Sequence, residues 1–206
     1  ELTVRGIDEH GSEFDALHLA LTSPFQMDGR LDDPSWMRAS HGLDLYLARR
    51  GDVLYVAVQD AGEGSDHFVF LTDRAGPQQR AGWSKAGGVM AWSAFLADED
   101  GNGFHGWFDG NGMLLRDPST YQSMTSGESG SAAGVAVLEG TIDLSRHFGQ
   151  LPEHLYVAAA PYKSPDRGRL VPDAQVPSGD GDGELEEPEF LRVRLQDLML
   201  DSLSPN

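Results

Sequence analysis

The sequence predicts an all-β fold: an antiparallel β-sandwich of jelly-roll or immunoglobulin type, with long loops and one short helical turn. Three observations carry this. Apolar and polar residues alternate over short runs, most plainly in Leu43-Asp44-Leu45-Tyr46-Leu47, which is the period of a half-buried strand. The 25 glycines and 11 prolines among 206 residues suit many turns between short strands. Neither an internal repeat nor a separating linker interrupts the pattern, so residues 1–206 read as one sandwich domain.

In chain order, residues 1–27 hold two N-terminal strands, Leu2 to Arg5 and Leu17 to Leu21, separated by polar turn residues. An acidic turn from Asp28 to Asp33 then sets down Trp36, read as a structural plug of the sandwich. The strand at Leu43–Leu47 is joined to Val53–Val58 by the tight connection Arg49-Arg50-Gly51-Asp52. Val53–Val58 is denser in apolar residues, as a central strand covered on both faces should be. Phe68–Leu71 follows, and then a loop over 74–88. Val89–Ala97 and Phe104–Phe108 read as a hairpin around an acidic turn, although Ala, Met and Leu in the first run also suit a short helix. Residues 117–134 form a second loop, rich in Ser, Gly and Ala from Ser123. Val135–Ile142 restores strand character, and Asp143–Gly149 has the capping residue and terminal glycine of one helical turn. Leu155–Ala160 is a strand, 161–189 a long Pro/Gly/acidic excursion, and Phe190–Leu195 the closing strand.

Charge and motif content narrow the function. The net charge is −18, from 33 acidic against 15 basic side chains. Such a surface repels phosphate backbones and anionic head groups, so nucleic acid is not an expected partner. The chain has no apolar run near the roughly 18 residues needed to cross a bilayer, so membrane insertion is not expected. The absence of cysteine excludes disulfides, zinc–thiolate sites and thiol nucleophiles. There is no G-x-S-x-G elbow, phosphate loop, dinucleotide fingerprint or H-E-x-x-H. The seven histidines show no metal-ligand spacing, and no carboxylate pair stands out for glycoside hydrolysis. A non-enzymatic role is expected. The start at Glu1 points to a processed chain or an excised part of a larger protein.

One motif points to calcium. Asp98-Glu99-Asp100-Gly101-Asn102-Gly103-Phe104 runs on to Asp109 with the D-x-D-x-N-G spacing and an acid at the twelfth position. Side-chain oxygens of Asp98, Asp100, Asn102 and Asp109, with the Phe104 carbonyl, would supply a hard cation. Gly110-Asn111-Gly112 follows directly and does not start the exit helix of an EF-hand. The alternative is a hairpin turn with solvated carboxylates. The acidic stretch Gly179–Glu187 reads as a solvated loop, and Asp28, Asp32 and Asp33 form a third acidic group.

Three phrases resemble carbohydrate-binding modules of family 9 and the wider DOMON-like sandwiches: Asp28-Gly29 with Asp33 and Trp36; Leu54-Tyr55-Val56 with Asp60 and Asp66–Asp73; and Glu139 through Gly149. Their order and spacing carry more than any one phrase. The resemblance implies a non-catalytic carbohydrate-binding or accessory module of an exported protein (secreted, periplasmic or cell-surface), part of a larger multidomain protein; the acidic loop adds an expectation of calcium stabilisation. Two alternatives stand beside it: a calcium-stabilised interaction domain without a soluble ligand and, because DOMON-like domains include cytochromes, a haem-binding domain with Met90, Lys85 or a histidine as axial ligand. Sugars present apolar C–H faces and hydroxyl rims, so a binder pairs flat rings with amides, carboxylates or arginine. Trp83, in a polar loop, is the leading candidate platform. Arg80, Trp107, Tyr121 and Asn111 complete the candidate ligand set, while the apolar neighbours of Trp92 and Trp107 favour the core for both.

Overall fold

The computed structural model describes residues 5–7, 13–15, 25–31, 33, 35–39, 43–60, 64–126 and 136–199. Fourteen strands occur among them: β1 Arg5–Ile7, β2 Glu13–Asp15, β3 Trp36–Ala39, β4 Leu43–Arg50, β5 Val53–Asp60, β6 Ser65–Thr72, β7 Gln78–Arg80, β8 Gly88–Met90, β9 Ala94–Asp98, β10 His105–Asp109, β11 Tyr121–Thr125, β12 Ala136–Asp143, β13 His154–Lys163 and β14 Leu191–Arg194. Two five-stranded antiparallel sheets result, in the orders β11-β12-β5-β4-β3 and β10-β9-β6-β13-β14. The pairs β1-β2 and β7-β8 form separate two-stranded sheets. The fold is the antiparallel sandwich that the alternation predicts.

Period-2 geometry sorts the side chains. Leu43, Leu45 and Leu47 of β4 and Leu54, Val56 and Val58 of β5 meet Val69, Leu71, Leu96, Trp107 and Val157 of the facing sheet in one core. Tyr55 and Ala57, at the intervening positions, pack outward against Phe25 and Ala48. β5 is therefore central and covered on both faces, as its density of apolar residues predicts. Each fully buried aliphatic or aromatic side chain contributes roughly 1.5–3 kcal/mol. Gly140 of β12 is required at its place, because a Cβ there would meet the Leu96 side chain and the Trp107 indole nitrogen, both at 2.8 Å.

The second sheet buries both faces as well. Val69 and Leu71 face the inter-sheet core, whereas Phe68 and Phe70 face outward into an aromatic cluster with Phe95, Phe108 and Tyr162. Two connections roof this cluster. One supplies Ala81, Val89, Met90 and Trp92; the other supplies Leu170, Leu185 and Phe190. The excursion expected at 161–189 begins only after β13, which runs on to Lys163; residues 164–189 are a packed strap, bridged to the sheet at Tyr162–Leu170 and Ala159–Val176 and to β8 at Val89–Leu185.

Several boundaries depart from expectation. The 89–97 run is not one strand: Met90 ends β8, Ala91–Ser93 cross over, and β9 begins at Ala94. The hairpin itself is present, with Asp98 opposite His105 and Ala94 opposite Asp109. The loops expected at 74–88 and 117–134 contain β7 and β11. β11 pairs with β12 from Tyr121–Ile142 to Thr125–Leu138; as an edge strand with polar side chains it lacks the apolar alternation that reveals its neighbours. Leu17–Leu21 and the Trp36 side chain lie outside the described residues. The helical turn occurs as α1, Leu144–Phe148, where the Asp143 carboxylate accepts the Arg146 N–H and Gly149 closes in the left-handed region at φ 78°.

On the outer face of the first sheet, Glu139 is fully buried. Its carboxylate accepts the Tyr55 hydroxyl (2.7 Å) and the backbone N–H groups of Gly29 (2.6 Å) and Asp28 (3.2 Å). Burial pushes its pKa up from 4.5, against the opposing pull of these donors. Alanine at this position removes the acceptor that all three donors share. Glu139→Ala is therefore expected to lose about 1–3 kcal/mol in urea denaturation at neutral pH. A raised folded-state pKa makes this group's stability contribution greatest below pH 4.5 and smaller as pH rises through the folded-state value. The margin of the natural protein over the alanine variant should accordingly narrow as pH rises from 4.5; a widening margin would contradict the assignment.

Candidate functional site

Between β7 and β8, the chain from Ala81 to Gly87 lies directly on the aromatic cluster. Gly82 permits this, since a Cβ there would lie 2.8 Å from the Phe95 ring. Trp83 (φ 50°) and Ser84 (φ 58°) then both adopt left-handed backbone, a conformation costing each non-glycine residue roughly 1–2 kcal/mol. Lys85 holds the segment down. Its ammonium is buried, 2.7 Å from Asp66 Oδ2, and donates to the carbonyls of Ser164 (2.7 Å), Lys163 (2.9 Å) and Pro165 (3.2 Å). Asp66 Oδ1 accepts the Asp100 N–H at 3.0 Å, so the same carboxylate also fixes the acidic hairpin turn.

This arrangement shapes a cleft of about 460 Å³ lined by Gln79, Arg80, Trp83, Ser84, Trp92 and Asn111, with the glycines at 82, 110 and 112 and Ala81. Trp83 is half-buried, with its ring edge-on to Phe68 and Phe108. The Gln79 amide donates to the Trp92 carbonyl at 3.0 Å, joining two walls. Asn111 is held by a tight turn in which Asp109 Oδ1 accepts the N–H groups of Asn111 (2.8 Å) and Met113 (2.9 Å). Trp92 is 7 % exposed, and its indole N–H has no acceptor among the described residues. The cleft offers what a polyhydroxylated ligand needs: indole rings, a guanidinium and two carboxamides.

Of the residues expected to bind ligand, Arg80, Trp83 and Asn111 come together here, and two do not. Trp107 is 1 % exposed in the inter-sheet core, donating its indole N–H to the Gln122 carbonyl at 3.0 Å. Strand parity turns it inward while Phe108 turns outward. Tyr121 belongs to the other sheet and lies 3.0 Å from His147 Nδ1 through its hydroxyl. Trp92, assigned to the core from its neighbours, is buried but also lines the cleft.

The calcium motif does not assemble into one shell. Asp98 is buried, and its two oxygens accept from the His67 backbone N–H (3.2 Å) and the Thr125 hydroxyl (3.0 Å). His67 Nδ1 lies 3.0 Å from the same Asp98 Oδ1. The Asn102 oxygen accepts the Phe104 N–H at 2.8 Å. Asp100 Oδ2 lies 3.3 Å from the Ser164 hydroxyl. Asp109 stands at the far end of β10, four residues beyond the position opposite Asp98, or about 13 Å along an extended strand. Asp98 and Asp109 therefore do not reach a common ion. Among the described residues no group of three or more His, Asp or Glu side chains is placed to hold a metal. Millimolar calcium is expected to leave the melting temperature within about 1 °C of its value in chelator; a site filled a hundredfold above its Kd would add about 2.7 kcal/mol and several degrees.

The 179–187 acids cap neighbouring backbone: Asp180 accepts from Asp182 N–H, and Asp182 from Glu184 N–H. Two of the haem-ligand candidates are committed elsewhere, Met90 in the aromatic cluster and Lys85 to its four oxygens. A hydrogen-bonded Ser123–His105 pair (2.9 Å) joins β11 to β10, and neither residue lines the cleft. Sequence reasoning missed the Asp66–Lys85 anchor, for which the only signal was the rarity of lysine in an acidic chain. No family model matches the chain, and no curated protein matches its sequence. The chemistry of the cleft is therefore read from its own residues.

Proposed function

We propose that the protein is a non-catalytic carbohydrate-binding or accessory module of an exported protein, and that sugar occupies the cleft between Trp83, Trp92, Arg80, Gln79 and Asn111. One observation carries this reading: Arg80, Trp83 and Asn111, three of the five residues expected from the sequence to bind ligand, line one open cleft with Gln79 and Trp92. The left-handed backbone at Trp83 and Ser84 supports it, because such strain persists where the surroundings over-determine it and clusters at binding sites. The acidic surface suits an uncharged or cationic glycan better than an anionic one. Affinity electrophoresis and calorimetry over a panel of soluble polysaccharides test the proposal. Retardation by at least one neutral or amino-bearing glycan is expected, and failure of every glycan to bind would refute it.

A further inference from the structure

Trp83 has a second cleft on its other flank. This cleft, of about 190 Å³, is lined by Trp83, Phe104, Glu99, Asp166, Ser164, Asp66 and Lys85. It is below the roughly 300 Å³ typical of drug-sized sites and suits one head group. Phe104 is 45 % exposed, an unusual position for a large apolar ring, and its centroid lies 5.7 Å from that of Trp83. The charges are unequal. Asp66 and Lys85 neutralise each other at 2.7 Å. Glu99 accepts the Asn102 amide, and among the described residues neither Glu99 nor Asp166 has an ion pair. Two aromatic rings beside two unneutralised carboxylates recognise an organic cation, since the ring faces attract positive charge and the carboxylates balance it.

We propose that this cleft binds a substituted ammonium group. The site stands on its own residues and does not require sugar in the larger cleft. The test follows the indole N–H resonance of Trp83, assigned by its loss in Trp83→Phe, during titration with tetramethylammonium chloride against sodium chloride at equal ionic strength. A saturable shift with tetramethylammonium alone is expected. It should weaken by about 10-fold or more in Glu99→Gln/Asp166→Asn, and also in Phe104→Leu, which keeps bulk but removes the ring. Unchanged melting temperatures exclude a folding defect. Glucosamine saturating the same shift where N-acetylglucosamine does not would assign the ammonium to an amino sugar; a response confined to tetramethylammonium would assign a quaternary amine. Equal responses to both salts, or wild-type affinity in both variants, would overturn the proposal, and neither result bears on glycan binding in the larger cleft.

Discussion

Lys85→Ala is expected to destabilise the protein by about 3–5 kcal/mol, the usual consequence of removing one partner from a buried ion pair. The side chains of Lys85 and Asp66 are 3 % and 2 % exposed. Truncation strands the Asp66 carboxylate without a counter-ion and leaves the carbonyls of Lys163, Ser164 and Pro165 without their shared donor. The loss is not that of one salt bridge alone, because three connections meet there: the Trp83 loop, the acidic hairpin and the strap after β13. Lys85→Arg should also destabilise, since a planar guanidinium does not match oxygens arranged around a compact ammonium. Adding Asp66→Asn to the alanine variant removes the uncompensated charge. The double variant should therefore be more stable than Lys85→Ala alone in urea titrations. A single-variant loss under about 1 kcal/mol would mean that the ammonium is dispensable.

Trp83→Ala carries the largest expected effect on binding. Hot-spot aromatics lose about 2 kcal/mol or more on truncation, which corresponds to a roughly 30-fold weaker glycan complex. Trp83 also packs against Phe68, Phe95, Phe104 and Phe108, so some stability should fall with it. Trp83→Phe separates the two effects. It retains part of the packing, and should recover most of the melting temperature but only part of the affinity. Equal recovery of both would mean that Trp83 serves the fold alone.

The strands were legible where one face is apolar. β4 alternates and β5 is continuously apolar, and both occupy the positions that these patterns predict. β11 was illegible because an edge strand of Tyr, Gln, Ser, Met and Thr has no apolar face to read. Trp107 and Phe108 show a second limit. Both faces of β10 are covered, so adjacent aromatics are both buried and composition does not say which one turns inward. Trp92 and Trp107 have similar neighbours in sequence, yet the crossover at Ala91–Ser93 brings one to the cleft while strand parity sends the other to the core. The three phrases behind the family resemblance meet at one point, where Glu139 gathers Asp28, Gly29 and Tyr55. That node fastens the scaffold on the first sheet. The clefts lie on the far side, over the aromatic face of the second. Along the calcium motif, pairing of β10 with β9 extends residues 105–109 and sets Asp98 and Asp109 at opposite ends of the hairpin, a separation that spacing in the sequence does not reveal.

Calorimetric titration of the tightest-binding glycan into the natural protein and into Arg80→Ala/Asn111→Ala tests the central claim most directly. Both substitutions are on side chains that line the cleft, and none of the hydrogen bonds described above runs through either side chain. The double variant is predicted to bind at least about 10-fold more weakly, equivalent to ~1.4 kcal/mol, with an unchanged melting temperature. Wild-type affinity in that variant would contradict the assignment of the cleft as the sugar site.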